Sequence, residues 1–230
     1  MRRARKPTLA RDGYTVCDRI HMPERISLAL RQLSLRRPSS TGLPYNSGRR
    51  GLVFDPKLIN AQEWACLFPP EYIRTLENYL GENIEVLRTE VISVPALSDT
   101  QYTHRDHALG ARVSVCVVIS ADHINVGTLI IPGSHAHGDL LPLGDLVASA
   151  TTYLMYDTHT FHAGCGNPKT TPTNNRLFVT FRSSSLTRKQ KGALSRDTGK
   201  PTHNPRTLHS LLSPSPPTTH TPLQRKRPRR

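Results

Sequence analysis

Two histidines and an aspartate are the residues of this chain best suited to chemistry, and their spacing indicates which kind. Thr103-His104-Arg105-Asp106-His107 reads as a strand, in which side chains two apart share a face. His104 and Asp106 then point one way and Arg105 the other, while His107 is out of phase and belongs on the rim. One neutral imidazole and one carboxylate so placed supply two legs of a 2-His-1-carboxylate facial set. That set leaves positions open on Fe(II) for a cosubstrate and O2. An HxD triplet alone arises often by chance, so the third leg carries the argument. Asp157-Thr158-His159-Thr160-Phe161-His162 offers two histidines. They stand three apart, so on a continued strand only one can join the set. Fourteen residues beyond His162 comes Arg176, whose planar fork suits the far carboxylate of a dicarboxylate cosubstrate. Tyr102 shares the expected face of His104 and is a second candidate to line a cosubstrate pocket.

The elements that must position these residues follow from periodicity and punctuation. The segment from Gly13 alternates like a short strand, and Pro23 opens a helix with apolar residues at helical spacing. Residues 36–51, rich in Arg, Pro, Ser and Gly, read as a loop. A second helical stretch covers about 60–80, interrupted at Pro69-Pro70 and stopped by Gly81. From Ile84 onward the pattern changes to short strands rich in Val, Ile, Thr, Phe and Tyr, over 85–94, 101–107, 112–120, 127–131, 151–156 and 175–182. Helices followed by six or more strands predict a mainly β fold with flanking helices, an antiparallel barrel or sandwich. Residues 186–230 carry Ser-Pro-Ser-Pro-Pro and end in Gln-Arg-Lys-Arg-Pro-Arg-Arg. With few apolar side chains to offset ordering, they are expected to form a disordered tail.

Four pieces in order carry a family resemblance. They are Asp12-Gly-Tyr-Thr-Val with its following Pro-Glu helix, the His104/Asp106 pair, Gly127-Thr-Leu-Ile-Ile-Pro-Gly-Ser-His135, and Phe161-His162-Ala-Gly with Asn167-Pro, followed by Arg176. Across roughly residues 10–185 the chain resembles the phytanoyl-CoA dioxygenase family of Fe(II)/2-oxoglutarate oxygenases. The resemblance implies a double-stranded β-helix, or jelly roll, and a domain at 10–185 preceded by a basic extension at 1–9. It implies Fe(2+), 2-oxoglutarate and O2 as cofactor and cosubstrates, with His104, Asp106 and His162 as catalytic metal ligands and Arg176 anchoring 2-oxoglutarate. His162, rather than His159, then supplies the third leg, and His135 and His137 shape the wall without ligating. Where the family commonly has a small hydroxylated residue two past the distal histidine, this chain has Gly164. The substrate expected is a small or lipid-like molecule to be hydroxylated.

Composition bounds the alternatives. The formal net charge is +14, yet residues 1–6 carry four basic residues and no acid, and residues 186–230 carry eleven basic residues and one acid. The stretch between is neutral, unlike a surface built to grip phosphates. Nucleic acid is therefore a possible partner only through the basic tail. Arg176-Leu-Phe-Val-Thr-Phe-Arg182 resembles the signature of AlkB-like nucleic-acid demethylases, with Phe178 where that family has Asn. A demethylase and a catalytically silent jelly-roll module are the competing readings. The four cysteines are widely spaced with no CxxC pair, which predicts reduced thiols and an intracellular setting, cytoplasmic or nuclear. No apolar run is long enough to span a bilayer.

Overall fold

The computed structural model describes residues 5–16, 22–35, 49–106, 113–120, 127–137, 147–148, 153–167, 173–184 and 206–213. Its helices begin where local chemistry tells them to. The Pro23 carbonyl accepts from the Ile26 and Ser27 N–H groups and opens α2 (Glu24–Leu35) after a single-turn α1 (Leu9–Asp12). Asn60 and Glu63 exchange hydrogen bonds as a capping box at the start of α3 (Ala61–Leu67), satisfying two otherwise orphaned N–H groups. Pro70 starts α4 (Pro70–Leu80), and Gly81, at φ 91°, ends it. The apolar faces meet in one cluster: the Trp64 and Phe68 rings stack at 5.4 Å, and Phe68 stands edge-on to Phe181 at 5.1 Å.

The strands are β1 (Tyr14–Val16), β2 (Arg50–Val53), β3 (Ile84–Val94), β4 (Ser114–Ser120), β5 (Thr128–Ile130), β6 (Val147–Ala148), β7 (Tyr153–Asp157), β8 (His162–Gly164), β9 (Asn174–Ser183) and β10 (Arg206–Thr207). A large antiparallel sheet runs β1-β7-β4-β9-β3-β10, with β2 also pairing β3, and a small sheet runs β6-β5-β8. Val115, Val117 and Ile119 of β4 and Leu177, Val179 and Phe181 of β9 face the helices. The alternate residues Cys116, Val118, Leu154 and Tyr156 face inward, joined by Ile130 of the small sheet. This is the mainly β, helix-flanked jelly roll that the sequence predicts.

Three expectations change. Of the strand expected over 101–107, the described residues 101–106 do not form one. His104 makes an isolated bridge to His162, with Gln101 and Asp106 bonding to Gly164 and Thr158 at uneven intervals. β8 is only three residues long, so no continuous ladder can form against it, and the two-residue alternation lapses. Tyr102 accordingly is 78% exposed and does not line a buried pocket. Next, the expected loop over 36–51 ends early, because residues 50 and 51 belong to β2 and pair with β3. The third change concerns the tail. Residues 206–213 form β10 and α5 (Leu208–Leu212), with Leu208 and Leu211 buried in the helical core; the rest of 186–230 lies outside the described residues. Two apolar side chains at i and i+3 suffice to dock one helical turn, a signal the surrounding polar composition hides.

Candidate metal and cosubstrate site

The short chain segments around the small sheet bring the ligand set together. The His104 N–H donates to the His162 carbonyl at 2.8 Å, and the His162 N–H returns the bond at 2.9 Å, which locks the two histidines side by side. Each imidazole is aimed by its Nδ1: His104 Nδ1 lies 2.8 Å from the Tyr102 carbonyl and His162 Nδ1 lies 2.9 Å from the Thr160 carbonyl. Donation from Nδ1 leaves both Nε2 atoms as free acceptors. Asp106 Oδ1 sits 3.8 Å from His104 Nε2 and 3.5 Å from His162 Nε2. All three ligand atoms lie within 4.8 Å of one another. The Tyr156 hydroxyl donates to Asp106 Oδ2 at 3.1 Å and so turns Oδ1 toward the imidazoles. Burial beside Asp106 holds the Tyr156 phenol protonated.

The electrostatics suit a cation. Burial, and then the neighbouring His162, lower His104 below its ordinary value. Burial opposes charge on His162, but Asp106 outweighs it and raises that imidazole above its ordinary value. The rival histidine is committed elsewhere: the His159 N–H donates to Asp157 Oδ1 at 2.8 Å, and His159 Nδ1 lies 3.0 Å from the same oxygen. Residues 158–160 form a turn rather than continuing β7, which lets β8 present His162 to the site. Arg105, pointing away from the ligands, sits over the Phe161 ring at 4.0 Å and donates to the Ser134 and His137 carbonyls. His135 contacts the Ala10 carbonyl and stands outside the ligand set. His107 lies outside the described residues.

Arg176 is 1% exposed. Its contacts are weak: Asn174 Oδ1 at 3.4 Å, the Gly127 carbonyl at 3.4 Å and the Cys165 carbonyl at 3.2 Å. Burial, reinforced by the charge of Arg49, pulls it down to about 10. Arg49 shares the Cys165 carbonyl with Arg176, and sequence reasoning passed over it because it lies in a stretch read as loop. It donates to the Asp99, Gly164 and Cys165 carbonyls at 3.1, 2.7 and 2.7 Å. Gly164 explains itself here: a Cβ would lie 2.5 Å from Gln101 Oε1 and 2.6 Å from Arg49 Nη1, so these side chains fill the space a hydroxylated residue would take. Among the described residues neither guanidinium has a carboxylate partner. Arg182, by contrast, donates to Glu85 at 3.0 Å.

No protein-family model matches the chain, and no curated protein sequence matches it. Solved structures do. The non-heme alpha-ketoglutarate-dependent epimerase SnoN from nogalamycin biosynthesis superposes with TM-score 0.57 at 16% identity, over 77% of this chain and 80% of SnoN. SnoN has also been solved with Fe3+, alpha-ketoglutarate and nogalamycin RO. HygX from Streptomyces hygroscopicus, solved with nickel and 2-oxoglutarate, matches with TM-score 0.56 at 12% identity, over 78% of this chain and 86% of HygX. EvdMO1 matches with TM-score 0.52 at 17% identity over 77% of this chain, which spans about half of EvdMO1, 49%. These neighbours share the fold.

Proposed function

We propose that the chain is an Fe(II)- and 2-oxoglutarate-dependent dioxygenase acting on a small molecule, of the phytanoyl-CoA dioxygenase type. One observation carries the reading: His104 Nε2, Asp106 Oδ1 and His162 Nε2 converge on the same inner side that holds a buried arginine free of carboxylates. The donor set fits, since two imidazoles and one carboxylate with open positions suit non-haem Fe(II). The chemistry such an ion supplies when bound is oxidative decarboxylation of 2-oxoglutarate by O2, giving succinate and CO2, coupled to oxidation of a substrate C–H bond.

The chain's own work is positional. The paired main-chain bonds between His104 and His162 fix the imidazoles, and Tyr156 fixes the carboxylate. Arg176 has only long contacts to lose, so a carboxylate can replace them with two short charge-assisted bonds. The apolar inner face, Val118, Leu154 and Ile130, excludes water. The bound metal and cosubstrate in SnoN and HygX support the assignment. The Glu85–Arg182 ion pair weighs against the AlkB-like alternative, in which Arg182 would belong to the site. The decisive assay measures succinate formed from 2-oxoglutarate. Purified protein is expected to require added Fe(II), and His162→Ala and Asp106→Ala to abolish turnover. Turnover that survives either substitution overturns the assignment.

A further inference from the structure

The inner face of β3 holds more charge than the oxygenase reading uses. β3 alternates until Leu87, where its register with β9 shifts. Val86 faces the helical core before the shift and Val91 after it. Leu87 thus changes the phase of the strand, so that Glu85, Arg88 and Glu90 all face inward. On that face Arg88 lies opposite Thr180, Thr180 opposite Cys116, and Cys116 opposite Tyr156, the tyrosine that holds the metal ligand Asp106. Glu90 lies one step along, opposite Phe178, between that row and the row of Arg176. Asp106 is close enough for its charge to act on Glu90, and Cys116 feels both carboxylates.

Glu90 is 6% exposed. Its Oε2 accepts from Arg88 Nη2 at 2.9 Å, while its Oε1 is buried with no hydrogen-bond partner. A buried carboxylate oxygen left unpaired forfeits its hydration without compensation, and such groups are rare enough to require an explanation. The capping, pairing and packing of β3 do not need it, because Val86 and Val91 do that work on the other face.

Resting on the oxygenase reading above, we propose that Glu90, held by Arg88, is the substrate-recognising carboxylate of this site, and that the substrate is a polar small molecule presenting a hydroxyl or protonated amine to Glu90 Oε1. A donor there completes the coordination of the carboxylate. An acyl chain would instead seal the free oxygen against hydrocarbon. The lipid-like half of the substrate expectation is therefore set aside in favour of a hydroxylated or amine-bearing compound.

The test uses the full-length chain and Glu90→Gln, which keeps the shape and removes the charge. Glucosamine, myo-inositol, sucrose and palmitate are titrated calorimetrically into each protein, without metal and then with Ni(II) and 2-oxoglutarate. At least one hydroxylated probe is expected to bind wild type and to bind Glu90→Gln about tenfold more weakly or worse, as a lost hydrogen bond to a charge predicts. The melting temperature of the ligand-free variant should stay within about 2 °C of wild type, because a binding carboxylate contributes little to the empty fold. Preferential binding of palmitate, indifference to every polar probe, or equal affinity in the variant overturns the proposal. So does a fall in melting temperature beyond about 5 °C, the sign of a structural ion pair. Failure of 2-oxoglutarate to bind in the same series sinks the oxygenase reading instead, while the metal-free titrations still judge Glu90.

Discussion

At the scale of single residues, the informative contrast is between two arginines six positions apart on β9. Arg182 is neutralised by Glu85, and Arg176 has only carbonyl and amide oxygens at 3.2–3.4 Å. An anion can improve the second environment and not the first. Arg176→Ala should raise the 2-oxoglutarate concentration needed for half-maximal turnover by about 10- to 100-fold, the loss expected of a charge-assisted pair. Fe(II) affinity should change little, and Arg176→Lys should recover part of the loss, since a point charge replaces the fork incompletely. Titrating 2-oxoglutarate into the three proteins checks this; if Arg182→Ala shows the effect instead, the demethylase-type alignment is the right one. With the anchoring role of Arg176 a matter of proposal, the convergence of His104, Asp106 and His162 was legible because each sits within a short motif. Arg49, Gln101 and Tyr156 were not, since only long-range register brings them alongside. Tyr102 turns outward because its segment, with only an isolated bridge at His104, lacks the alternation of a strand.

At the scale of elements, the turn between β7 and β8 decides which histidine reaches the site. Asp157 organises it, accepting from the His159 N–H at 2.8 Å and from the Tyr79 hydroxyl at 2.6 Å. Burial pushes the Asp157 carboxyl up, but the hydrogen bonds from His159 and Tyr79 outweigh it and hold the group below the usual carboxylate range. A carboxylate depressed in the folded state stabilises above its unfolded value, about 3.9, and that stabilisation fades as the pH falls through the folded value. Asp157→Asn should therefore be less stable than wild type near neutrality, with the gap narrowing below about pH 4. Urea melts at several pH values measure it, and a gap independent of pH would refute the account. The order and type of the elements were readable from hydrophobic period and Gly/Pro punctuation. The phase change at Leu87 was not, because the bulge inserts one extra residue that is itself apolar and so looks like part of the strand.

At the scale of the whole molecule, the C-terminal segment is divided in role. Residues 214–230 carry five basic side chains and no acid, and their removal should lower the salt needed for elution from a cation exchanger with the melting temperature unchanged. Removing 206–230 also strips Leu208 and Leu211 from the core, each worth about 1.5–3 kcal/mol of burial. The melting temperature should then fall by on the order of 10 °C. Equal melting temperatures for the two truncations would show the docked turn to be dispensable. The pairing of Arg206 and Thr207 with Val86 and Glu85 has a further consequence. β3 carries β9 on one side, and its other side is shared by β2, from residues 50–53, and β10, from residues 206–207. During synthesis the first cover is made before β3 and the second only well after it. A nascent or C-terminally clipped chain therefore displays the start of β3 as an open hydrogen-bonding rail, on which another copy can pair and nucleate aggregation.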